Sequence, residues 1–131
     1  MITYLDRSRT FIYLLTILVG SVWVFHGLYS KLLSGIPRHH LIVERILGDR
    51  IADLATPAIG IGEIALGLWA FTRRYRPACA LAQTLAIAAM NFLEILLARD
   101  LLISAPGMVA LNLAFLSLVW YWAFLPSKLT P

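Results

Sequence analysis

The sequence predicts an all-α fold: an integral membrane four-helix bundle with a short amphipathic helix between the first and second spans. Three observations predict it. Of 131 residues, 60% are hydrophobic and only 14% are charged, about half the charged share of a soluble domain. Mean hydropathy is +0.81, and a core built from so short a chain cannot hide that much apolar surface from water. The apolar residues also fall into four runs with most Lys and Arg at their edges, and a helix of about 20 apolar residues crosses a bilayer.

The first run covers 11–33 and is interrupted only by small or weakly polar residues and by His26. A secretory leader is the competing reading, with Arg7 and Arg9 as its basic start and Val19-Gly20-Ser21 as a weak cleavage site. The run continues well past Ser21, so an uncleaved span is expected. The second run, 56–72, is led by Pro57, a residue that a first helical turn tolerates, and stops at Arg73-Arg74-Tyr75-Arg76-Pro77. The third, 78–98, stops at Arg99-Asp100, and the fourth, 108–125, follows Pro106-Gly107. Short connections between them imply up-down-up-down packing within a single transmembrane domain over 1–131.

The segment from Pro37 to Asp53 differs from these runs. It carries His39, His40, Glu44, Arg45, Asp49 and Arg50 among Leu41, Ile42, Val43, Ile46 and Leu47. Leu41, Ile42, Arg45, Ile46 and Asp49 follow helical steps, so a short amphipathic helix is expected at the interface or folded onto the bundle.

The net charge of +4 does not point to nucleic acid, because the basic residues flank apolar runs, where they anchor and orient spans in a lipid bilayer. With the N-terminus inside, Arg7, Arg9, Arg73, Arg74, Arg76 and Lys128 lie on the cytoplasmic side, against Lys31, Arg38, Arg45, Arg50 and Arg99 opposite. The expected arrangement is therefore a multi-pass inner-membrane protein with both termini cytoplasmic. The lone Cys79 excludes an internal disulfide, a CxxC motif and a Cys-built zinc site, and is expected to be a small buried residue.

An ionisable group in hydrocarbon costs about 3 kcal/mol or more, so each one needs a reason. In alternating spans His26, Lys31, Glu63, Asn91, Glu94 and Asn112 all fall at one depth, in the half of the bundle nearest His39 and His40; only Gln83 falls at the other end. These six residues form the candidate pocket. Gly60, Glu63 and Gly67 make one stripe, in which the glycines admit a neighbouring helix, expected to be span one with His26. His26, Glu63 and Glu94 are expected to lie close enough to share a proton or a ligand, with a proton or a cation relieving the repulsion of two carboxylates. The plainer readings are inter-helix hydrogen bonding for Asn91, Asn112 and Gln83 and snorkelling to the interface for Lys31. Trp23, Trp69, Trp120, Trp122 and Met108 read as packing and interfacial residues.

The stretch from Trp23 to Leu32, with His26-Gly27 followed by Lys31-Leu32, resembles the first-helix signature of the DoxX-like membrane proteins. Gly62-Glu63-Ile64-Ala65-Leu66-Gly67-Leu68, closing at Arg73, resembles their second-helix signature, and Pro106-Gly107 with Asn112 fits the fourth helix. The resemblance implies a four-helix bacterial membrane protein. That family includes a subunit associated with thiosulfate:quinone oxidoreductase, and wider relatives work with thiol redox systems. A dithiol role conflicts with the single cysteine.

Three functional classes follow. The first is a redox-associated subunit holding a quinone or a divalent metal, working with a soluble or membrane oxidoreductase. A quinone carbonyl needs hydrogen-bond donors and its reduction needs protons, which His26 with Glu63 or Glu94 would supply. A metal would draw on His26, His39, His40, Glu63 and Glu94, although no known ligand spacing is present. Adjacent His39 and His40 on a helix point about 100° apart, against joint ligation of one ion. The second class is a non-catalytic scaffold or assembly subunit, and the third a small transporter acting as a homo-oligomer. No catalytic triad, phosphate loop or dinucleotide fingerprint assigns catalytic residues.

Overall fold

The computed structural model describes residues 4–33 and 35–126; Lys128, counted above in the orientation argument, lies outside them. The described residues form helices α1 (Tyr4–Phe25), α2 (Pro37–Leu47), α3 (Asp49–Thr72), α4 (Arg76–Leu97) and α5 (Ala105–Ala123). A π-helical segment, His26–Leu32, continues α1, and a 3₁₀ turn, Arg99–Leu101, precedes α5. Four stretches are long and apolar enough to cross a membrane: Arg9–Leu32, Asp49–Thr72, Arg76–Leu97 and Ala105–Ala123.

The bundle consists of two antiparallel pairs. α3 packs along α1 and its π-helical continuation, and α4 packs along α5. In the first pair, Gly27 lies against Gly60 and Gly20 against Gly67: a Cβ on Gly60 would come 2.7 Å from the Gly27 carbonyl, and one on Gly67 2.7 Å from the Gly20 carbonyl. Only glycine lets the two backbones approach this closely. The expected Gly60-Glu63-Gly67 face against span one is thus present. In the second pair, Trp120 Nε1 donates to Thr84 Oγ1 at 2.9 Å, and Asn112 Nδ2 donates to Asn91 Oδ1 at 2.8 Å.

One end of the bundle is pinned by hydrogen bonds within the second pair and between the pairs. Arg76, buried, donates from Nη1 to the Trp122 carbonyl at 2.7 Å and from Nη2 to the Leu125 carbonyl at 2.6 Å. These carbonyls lie at and just past the end of α5, where intrahelical donors run out. The fully buried Trp122 donates to Thr16 Oγ1 at 3.0 Å, tying α5 to α1. Above them Leu15, Val19, Trp23, Cys79, Ala80, Ile87 and Val119 form the core. Most other large apolar side chains are exposed, among them Leu54, Leu85, Phe92, Leu111 and Phe124, as a lipid-facing surface requires.

α2 is amphipathic and folds onto the bundle, burying Ile42 and Val43. Its Pro37 occupies the first helical turn, and it stops at Gly48, whose φ of 90° suits glycine. The second span begins earlier than expected. α3 starts at Asp49, so Pro57 lies inside the helix rather than at its head. The apolar run marks where lipid begins, whereas the helix extends over the polar residues before it. The carbonyl left free by Pro57 belongs to Asp53, whose side chain is exposed and within reach of water.

Candidate functional site

Away from the pinned end the two helix pairs separate, and a cavity of about 710 Å³ opens between them. α2 lies across that end, packed on α3, on the π-helical segment and on α4. The salt bridge from Arg45 Nη1 to Asp100 Oδ1, 2.6 Å, ties α2 to the α4–α5 connection. The walls are mostly apolar, including Ile59, Ile87, Met90, Met108 and Phe115. All six candidate pocket residues, His26, Lys31, Glu63, Asn91, Glu94 and Asn112, line this one cavity.

The position of Lys31 departs from the snorkelling reading. It is only 9% exposed and its Nζ lies 2.7 Å from Glu63 Oε1. The cause is the helix type. In an α-helix, residues five apart differ by about 140° around the axis, which would aim Lys31 away from His26. A π-helix closes i→i+5 hydrogen bonds and brings residues five apart onto one face. Leu33 N donates to the Leu28 carbonyl at 2.9 Å, in that pattern. His26 and Lys31 therefore both reach the cavity, and the ion-paired partner of Glu63 is Lys31 rather than His26. The Lys31 ammonium is the cation that the carboxylates needed.

Glu94 faces the charges of Lys31, Arg38 and Glu63. Asn91 and Asn112 bond to each other across α4 and α5, as the hydrogen-bonding reading expected, and both still border the cavity. Gln83, fully buried below it, accepts from Trp23 Nε1 at 2.6 Å and donates to Cys79 Sγ at 3.3 Å. Trp23, expected only to pack, forms part of the cavity floor. Among the described residues, Ser30 Oγ, His39 Nδ1 and Glu63 Oε2 are buried without a hydrogen-bond partner. A buried polar atom left unpaired costs about 1–3 kcal/mol, and two of the three, on His39 and Glu63, border this cavity.

The two histidines of α2 part company. His39 borders the cavity, its ring nearly parallel to that of His26 with centroids 6.0 Å apart. Burial, then the charges of Lys31, His26 and Arg38, holds His39 down to about 4, so it is neutral at pH 7. His40 turns to Thr56 Oγ1, 3.2 Å from its Nδ1, and to Asp53, 3.4 Å from its Nε2. The set His26, His39, His40, Glu63 and Glu94 is thus divided, as the helical angle between the adjacent histidines requires. Among the described residues no group of three or more His, Cys, Asp or Glu side chains is arranged to hold a metal ion. Arg38 also borders the cavity and was counted from the sequence only as a flanking charge; one helical step from His39, it carried no separate signal.

These features define a small helical membrane protein with an apolar-walled cavity and a charged, hydrogen-bonding cluster at one end of the bundle. The chain belongs to the DoxX-like family, which matches residues 20–120. Neither the curated proteins nor the solved structures yield a match.

Proposed function

We propose that the cavity binds the head group of a membrane quinone and that the protein serves as a redox-associated subunit of the inner membrane, with both termini cytoplasmic. The observation that carries this reading is the pairing of about 710 Å³ of mostly apolar space with His26, the Lys31–Glu63 pair, Glu94 and the Asn91–Asn112 pair on its walls. A planar, apolar ring with two carbonyl acceptors suits such walls. Lys31 and the asparagine amides donate to carbonyls, while Glu63, Glu94 and His26 exchange the protons that quinone reduction consumes. A metal is the weaker ligand class because no ligand set converges among the described residues.

The test is the composition of the purified protein. A lipid extract should hold close to one quinone per chain, and Glu63→Gln should lower that at least tenfold without loss of the folded protein. An extract with no quinone above that of an unrelated membrane protein removes the reading. Reporter fusions should place both termini in the cytoplasm.

A scaffold role has its own support. Asn91 with Asn112 and Trp23 with Gln83 satisfy one another, which is what helix-registering polar groups do. In that case nothing co-purifies and Glu63→Gln is silent in function.

A further inference from the structure

The cavity has a rim that the polar cluster does not account for. Leu111, on α5, lines the cavity and is also 74% exposed. A wall residue this exposed stands at an open edge of the cavity. Leu111 belongs to the stretch Ala105–Ala123, which is long and apolar enough to cross a membrane, so this edge lies against hydrocarbon. Opposite it, α1 and its π-helical continuation contribute Val22 and His26 to the same cavity. α1 and α5 are held together lower down by Trp122 on Thr16 and by the Trp23–Phe115 ring contact, centroids 6.4 Å apart. At the other end α2 covers the bundle, tied down through Arg45 and Asp100.

We infer that the ligand enters sideways from the bilayer, through the crevice between α1 and α5, and that it is a tailed amphiphile. The tail lies along Leu111 and Phe115 toward the lipid, and the head passes inward to His26 and the Lys31–Glu63 pair. This rests on the quinone reading and sharpens its substrate class to a long-chain, membrane-dissolved quinone. Only such a molecule matches both ends of the path. A polar ligand from water would find no contact at the lipid-facing edge, and a wholly apolar lipid would leave Glu63 Oε2 without a partner.

Native mass spectrometry of the protein released from detergent micelles reads retained quinone directly. Wild type, Leu111→Trp and Leu113→Trp are compared with a long-chain quinone and with its tail-less head group. Leu113 is equally lipid-facing, 59% exposed, but does not border the cavity. The expected result is a fall of at least tenfold in the rate at which Leu111→Trp takes up the long-chain quinone, with the tail-less compound changed less than twofold. Leu113→Trp should match wild type with both. Equal rates of long-chain uptake by Leu111→Trp and wild type overturn the side entrance and leave the quinone reading standing. Equal loss of both compounds in Leu111→Trp also overturns it, since the head site is then what was damaged. A wild type that retains neither compound overturns the quinone reading, and the entrance with it.

Discussion

Lys31 and Glu63 form a salt bridge of 2.7 Å inside the bundle, with the two side chains 9% and 5% exposed. Attraction between two such charges barely offsets the loss of their hydration, so the pair itself adds little stability, but either charge left alone is costly. Lys31→Met and Glu63→Leu should each destabilise the protein by about 3–5 kcal/mol, and the double variant should recover most of that. Glu63→Gln, which keeps a hydrogen-bonding group beside Lys31, should cost less than Glu63→Leu. Unfolding of all four variants in mixed micelles checks this; strictly additive losses would mean that the two residues do not interact.

The contact between α1 and α3 makes a second prediction. A side chain at Gly67 meets the Gly20 carbonyl and Val24, whereas one at Gly62 meets nothing within 4 Å. Gly67→Leu should therefore separate the helices and cost about 2 kcal/mol or more. Leu66→Ile should cost less than that. Gly62→Ala should be neutral or stabilising by up to about 1 kcal/mol, since alanine is the better helix former. Equal thermal stability of Gly67→Leu and Leu66→Ile would refute the close crossing.

What the sequence made legible follows from which physical signal each feature left. The four apolar runs are counts of residues against a bilayer thickness, and all four reappear as helices. The common depth of His26, Glu63, Asn91, Glu94 and Asn112 needs only alternating span direction, and all five border one cavity. Lys31 was named with them, but its pairing with Glu63 was not legible: its place near the end of the run equally suggested snorkelling, and the π-helical winding that sets it on the face of His26 leaves no mark in the sequence. The start of α3 was missed for a different reason: Asp49, Arg50 and Asp53 break the apolar run but not the helix. The size of the cavity left no trace, since its volume arises from the separation of two helix pairs and not from any one segment.

A pH dependence follows from His39. With its folded pKa held near 4, against 6.5 for the free side chain, the unfolded chain binds the proton more readily than the folded one. Stability from this group is therefore fully present above pH 6.5, falls as the pH drops toward about 4 and levels off below that. His39→Gln should flatten the stability profile in that window relative to wild type, with little difference at pH 7.5. A His39 ring signal that titrates near 6.5 in the folded protein would contradict the burial that produces the shift.

Two arginines that each join separate elements should differ sharply in weight. Arg45 and Asp100 meet at 2.6 Å but are 46% and 63% exposed, and water screens such a pair so that it adds little stability. Arg76 is buried and holds the carbonyls of Trp122 and Leu125 with two separate guanidinium nitrogens. Hydrogen bonds from a charged donor are worth about 1.5–3 kcal/mol each; the one to Trp122 is buried and the one to Leu125 part-buried. Arg76→Gln should thus destabilise the protein by several times as much as Arg45→Gln, and Arg76→Lys should rescue only part of the loss because a single ammonium cannot copy the guanidinium fork. The Arg45→Gln effect should also fade at high salt, while that of Arg76→Gln should not. Comparable losses at the two positions, or equal sensitivity to salt, would show that α5 is not secured through Arg76.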